Sequence, residues 1–140
     1  MQVVTERLEV ATKGSGDFKD LTVELEKILK KSKLDQGVLV VFAVGSTCGL
    51  TTFEFEPGLI EDMRLAYERL FSSQVHYHHD ETWGDANGFS HLRAAFQGQS
   101  LVIPFEKGKL SLGTWQQVVL AEFDTRPRQR QIVVTLIGQT

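Results

Sequence analysis

A chain of 140 residues with 41% apolar and 24% charged residues has the length of one domain and a folded composition, which excludes intrinsic disorder. A net charge of −3 gives no polycationic footprint for nucleic acid, and a single cysteine, Cys48, excludes an internal disulfide and paired-cysteine zinc motifs. The longest apolar run, Val38 to Val44, is far too short to span a bilayer, and Gln2 to Arg7 lack the order of a signal peptide. The expectation is one domain over residues 1–140, in the cytoplasm, with neither a membrane nor nucleic acid as partner.

Gln2 to Val10 mix β-branched and charged residues, as an edge strand does, and Lys13-Gly14-Ser15-Gly16 breaks the pattern. Asp17 then reads as an N-cap for a helix whose apolar positions are Phe18, Leu21, Leu25, Ile28 and Leu29. Its tail of Lys27, Lys30, Lys31 and Lys33 is a solvated face that complements the helix dipole, and Gln36-Gly37 ends it. Val38 to Val44 is predicted as a buried strand and Leu50 to Phe55 as a second, joined by the turn Gly45-Ser46-Thr47-Cys48-Gly49. Pro57-Gly58 opens a helix with Leu59, Ile60, Met63, Tyr67, Leu70 and Phe71 on one face. Gln74 to His91 has no sustained period and is predicted as a long loop, functional or disordered. Four strands follow, at Leu101–Pro104, Lys109–Leu112, Gln116–Phe123 and Gln131–Ile137. Late strands set apart from early helices predict an α+β fold, with two helices packed on a mostly antiparallel β-sheet or sandwich.

All four histidines, His76, His78, His79 and His91, lie in the long loop with Asp80, Glu81, Asp85 and Asn87. Imidazole and carboxylate donors in that density suit a divalent metal or proton transfer, and equally a surface loop that binds nothing. His76 and His78 share a face at strand spacing, which His79 leaves. The Gly45–Gly49 turn offers hydroxyls and amides to an anion, though without phosphate-loop spacing. Cys48 beside a buried strand reads as apolar filler. Arg126, Arg128 and Arg130 alternate before the last strand, where arginines either grip phosphate or are solvated.

Taken together, these segments resemble the YjbQ-like family, also called the secondary thiamine-phosphate synthase family, from about Gly37 to Gly138. The resemblance is carried by Ser46-Thr47-Cys48-Gly49-Leu50-Thr51-Thr52-Phe53-Glu54, by His79, Asn87 and Ser90-His91, and by Gly98, Ser100 and Pro104. Gly108-Lys109-Leu110, Leu112-Gly113-Thr114-Trp115-Gln116, Glu122 and Pro127-Arg128-Gln129-Arg130 complete it. The resemblance implies a compact homotrimer with a divalent metal, zinc or magnesium, at a histidine-lined cleft. It implies weak or secondary joining of a hydroxymethylpyrimidine diphosphate to a thiazole phosphate, with release of pyrophosphate. Carried over, His79 and His91 are metal ligands and catalytic, with His78 as a candidate third ligand, and Glu54 is a base or support for a ligand histidine. Ser46, Thr47, Asn87, Thr114, Trp115, Gln116, Arg128 and Arg130 are the implied substrate contacts, Trp115 by stacking on a small phosphorylated heterocycle. Two departures stand out. Gly45 occupies the place where the family begins its first signature with a histidine, and Thr125-Arg126 lengthens the arginine loop. The first of these supports an alternative, a non-catalytic trimeric ligand- or metal-binding protein with a degenerate site.

Overall fold

A computed structural model describes residues 1–140. In chain order the elements are β1 (Gln2–Thr12), β2 (Phe18–Asp20), α1 (Thr22–Ser32), β3 (Gln36–Val44), β4 (Cys48–Phe53), α2 (Pro57–Leu70), α3 (His78–Trp83), α4 (Gly88–Gln97), β5 (Ser100–Glu106), β6 (Lys109–Leu110), β7 (Gln117–Glu122) and β8 (Arg128–Gln139). Five strands form one antiparallel sheet in the order β1-β8-β3-β5-β6, and three form a second, β2-β7-β4. This is an α+β domain of curled antiparallel sheets.

Strand alternation builds the interior. Leu39, Val41 and Ala43 of β3 and Ile132, Val134 and Leu136 of β8 turn inward to meet Val118 and Leu120 of β7, with Leu25, Ile28 and Leu29 of α1 closing the core. The odd residues of β7, Val119 and Ala121, face the other way and pack with Phe18, Tyr67, Ala94 and Phe123. β7 is therefore buried on both faces, between the larger sheet and the layer of α2 and α4, and reads as a continuous apolar run. Tyr67, on the apolar face of α2, is core as its helical spacing predicts, and Cys48 is fully buried.

The structure differs from the sequence expectation at four places. The predicted first helix starts later: Phe18–Asp20 pairs with β7, and Asp20 accepts the Thr22 amide at 3.0 Å ahead of α1. Asp17 instead accepts from the Lys13 amide at 2.9 Å, closing the glycine loop rather than capping a helix. The predicted long loop holds two helices, α3 and the start of α4, so the domain has four helices and not two. β3 is buried on one face only, since Phe42 is 45% exposed and Val102, across from Val40 on β5, is 63% exposed.

Candidate active-site cleft

The same alternation that fills the core also places charge at one end of it. Arg128 and Arg130 continue the inward face of Ile132, Val134 and Leu136, and Glu122 continues that of Val118 and Leu120. Glu122 is fully buried, where a strand glutamate is expected on the surface. Its Oε1 accepts from Nε of Arg130 at 2.7 Å and from the Thr12 hydroxyl at 2.6 Å, and its Oε2 accepts from Nη2 of Arg130. That oxygen also accepts the amides of Phe123 and Asp124, at 3.1 and 3.0 Å. A carboxylate so saturated tolerates burial, because every lone pair it loses to water is replaced.

One layer further out, Thr47 accepts from Nη2 of Arg130 at 2.7 Å and donates to Oδ2 of Asp124 at 3.0 Å. Asp124 takes Nε of Arg128 at 2.8 Å, the Thr125 amide at 2.7 Å and Nδ2 of Asn87 at 3.4 Å. Burial alone raises a carboxyl, but the Arg128 hydrogen bond, the Thr125 amide, Thr47 and Asn87 outweigh it and hold Asp124 down at about 2. Burial pushes the Cys48 thiol up to about 11 against the pull of Arg130, so it stays protonated and is no nucleophile.

The histidines come from the two short helices. Asp80 stitches these together, accepting the Tyr77 amide at 3.0 Å on one oxygen and the Gly88 amide at 3.0 Å on the other. Gly88 has to be glycine, since a Cβ there would lie 2.8 Å from Cβ of Tyr77 and 2.9 Å from the Asp80 carboxylate. The junction sets His79 of α3 against His91 of α4, ring centroids 4.4 Å apart at 39°. Burial and the nearby His79 lower the pKa of His91, opposed by Asp124 and Asp85, so His91 is neutral near pH 7. Nδ1 of His79 and Oδ1 of Asn87 are shut off from solvent without a partner.

These residues enclose a cleft of about 450 Å³, within the size range of small-molecule sites. Its wall is Gly45, Ser46, Thr47, His79, Trp83, Asp85, Asn87, His91, Arg128 and Arg130. Of the residues singled out in the sequence, His79, His91, Ser46, Thr47, Asn87, Arg128 and Arg130 meet there. Glu54, Thr114, Trp115 and Gln116 do not. Gln116 donates to Thr52 at 3.0 Å at the far end of β4, Glu54 is exposed, and Trp115 is 71% exposed and neither stacked nor core. His78 points to solvent beside Glu81, and His76 contacts the same carboxylate at 3.2 Å. Asp85, one of the carboxylates read beside the histidines, also lines the cleft, Trp83 joins it unannounced, and Glu122 and Asp124 emerge as its supports.

The donor set of one chain does not fit zinc. Nowhere does the fold bring three His, Cys, Asp or Glu side chains together as ligands, and two imidazoles fall one short of the three protein ligands of a catalytic zinc site.

The family described as UPF0047 protein, YjbQ-like, matches residues 6–139. A UPF0047 protein of Archaeoglobus fulgidus is 37% identical over 115 residues, covering 82% of this chain and 86% of that protein. One from Methanothermobacter thermautotrophicus is 34% identical over 99% of this chain and 95% of its own. Among solved structures, a YbjQ-like protein of unknown function from Sulfolobus solfataricus superposes with a TM-score of 0.88 at 28% identity, over 99% of this chain and 100% of that one.

Proposed function

The chain belongs to the YjbQ-like UPF0047 family, and from the chemistry of its cleft we propose that it acts on small phosphorylated heterocycles as a weak or secondary thiamine-phosphate synthase-type transferase. In that reaction the bond between the pyrimidine's methylene carbon and its diphosphate oxygen breaks. The thiazole ring nitrogen bonds to that carbon, and pyrophosphate leaves with the electron pair. The observation that carries this reading is the convergence of Arg128, Arg130 and Thr47 with two histidines on one ligand-sized cleft. Fixed guanidinium and hydroxyl donors offset the charge that grows on a departing diphosphate. A neutral His91 offers a ring N–H to the departing diphosphate, and Trp83 offers a ring face to a flat heterocycle. Glu54 and the segment Thr114 to Gln116 lie outside the cleft of a single chain.

Homotrimer assembly is proposed with it. Support comes from the outer face of the larger sheet, where Val3, Phe42, Val44, Val102 and Ile137 stand exposed with no helix over them. No helix is long and apolar enough to cross a membrane, and the unpaired Cys48 suits a reducing cytoplasm. A second reading, a non-catalytic trimeric ligand-binding protein, is favoured by Gly45 and the missing third donor.

Pyrophosphate release from the two phosphorylated heterocycles separates the readings. Wild type is expected to release it, and His79→Ala and His91→Ala to lose roughly 10²-fold or more. Turnover that survives both substitutions overturns the transferase reading. Ligand binding without turnover establishes the second reading instead.

A further inference from the structure

We infer that this chain grips the phosphoryl group of its ligand directly on Nη1 of Arg130, in the space that a side chain at position 45 would fill, without a divalent ion. The inference rests on the reading that the cleft takes a phosphorylated ligand. It adds which atom does the binding and why Gly45 matters.

A guanidinium carries five N–H donors in a rigid fork. In Arg130, Nε and Nη2 are committed to Glu122 and Thr47. Nη1 makes no hydrogen bond within the protein. The polar side-chain atoms that are both shut in and unpartnered are His79 Nδ1, Asn87 Oδ1 and Ser90 Oγ, so Nη1 is open, and Arg130 lines the cleft. The side chain as a whole is 6% exposed and is clamped by a fully buried carboxylate, so its two free donors are aimed rather than mobile.

Gly45 is what leaves them accessible. A Cβ at that position would lie 2.8 Å from Nη1 and 3.2 Å from Sγ of Cys48. An unrestrained arginine would swing aside, but this one would have to release Glu122 and strand a buried charge. A side chain at position 45 and the Nη1 edge of Arg130, as it is held here, therefore compete for one space. With glycine at position 45 that space is left open beside the guanidinium edge, which is an oxyanion donor.

The two N–H bonds of Nη1 diverge from one nitrogen, so each meets a separate oxygen, and the ligand chemistry that fits such charge-assisted donors is a tetrahedral oxyanion, a phosphate ester or free phosphate. Each cleft arginine is matched by a carboxylate, Arg130 by Glu122 and Arg128 by Asp124. Asp85 on the wall adds a third carboxylate, so no net positive charge draws the anion, and selectivity comes from donor direction.

The test is calorimetric titration of the full chain in EDTA with pyrophosphate, inorganic phosphate and phenyl phosphate. Wild type is expected to bind pyrophosphate without metal, and Gly45→Ala and Gly45→His to bind it at least tenfold more weakly. Phenyl phosphate binding tighter than inorganic phosphate identifies an ester as the source, and the reverse order identifies free phosphate. A wild type that binds only after zinc or magnesium is added, or a Gly45→Ala variant of unchanged affinity, overturns the inference. If the variants unfold, the ¹⁵N side-chain resonances of Arg130 in wild type decide instead: a shift on adding pyrophosphate supports it, and unmoved signals overturn it. The transfer assay remains separate. Pyrophosphate bound but never formed from the two heterocycles removes the catalytic reading and leaves this one. Turnover with unchanged Gly45→Ala affinity does the reverse.

Discussion

The two ends of the β4–β7 pair handle their polar and aromatic residues in opposite ways. At one end Cys48 lies across from Glu122, and every hydrogen-bonding position of that glutamate is filled by Arg130, Thr12 and two amides. At the other end Phe53 lies across from Gln117, next to a segment whose tryptophan is 71% exposed and whose Gln116 reaches only Thr52 and the Gly113 amide. Five residue steps of strand put roughly 17 Å between them. The buried end is built before any ligand arrives, whereas at the exposed end Gln116 and Gln117 serve only nearby backbone amides and Thr52. Residues that look like parts of one motif in sequence thus belong to different surfaces, and only the buried end has the preorganisation that catalysis or tight anion binding demands.

The largest test of this contrast is the buried ion pair. Glu122→Ala removes the carboxylate that clamps Arg130 and leaves a guanidinium 6% exposed without its partner. Losing one partner of a buried pair costs about 3–5 kcal/mol, so urea denaturation should show a loss of that order. A loss below about 1 kcal/mol, the range of surface ion pairs, would mean that water reaches Arg130 and that the floor of the cleft is not dry.

Next in size is the pH dependence carried by Asp124. Its folded pKa of about 2 lies below the roughly 3.9 of an unfolded aspartate. The unfolded chain therefore takes up the proton first as pH falls. The stabilisation is complete above pH 4 and disappears as pH drops through about 2. Roughly two units amount to about 2–3 kcal/mol, and Asp124 is 1% exposed, so solvent screens little of it. Wild type should lose that increment between pH 4 and 2, while Asp124→Asn, less stable at pH 7, shows a flatter profile. Parallel profiles would show that the hydrogen bonds, and not the ionised state, hold the loop.

How much of this was legible follows from what burial does to pattern. α2 has its apolar residues at helical spacing, and the inward residues of β8 alternate, so each element is visible in sequence. α4 hides because Phe89 shares its buried face with Gly88, Ser90, Arg93 and Ala94, while Phe96 points outward, so the apolar period that marks a helix is diluted. Arg93 is buried because it donates to the Phe71 carbonyl and to Glu68, partners from α2 that no local window contains. Glu122 reads as surface charge for the same reason, since the residue that justifies its burial lies eight positions on, beyond a turn. Residue types marked the two histidines and the alternate arginines as candidates. Their convergence depended on the α3–α4 junction, which no periodicity announced.

The smallest effect is also the sharpest in placing a ligand, because the two tryptophans sit at the two ends being compared. Trp83 is 75% exposed on the cleft wall and Trp115 is 71% exposed outside it. Exposed side chains without partners contribute within about 0.5 kcal/mol, so neither Trp83→Phe nor Trp115→Phe should move the unfolding midpoint appreciably. Fluorescence separates them. Phenyl phosphate entering the cleft should change emission in wild type and in Trp115→Phe, and the change should vanish in Trp83→Phe. The opposite result, a response lost with Trp115 and kept without Trp83, would place the ligand at the far end of β4. The buried network would then support the structure without serving the site.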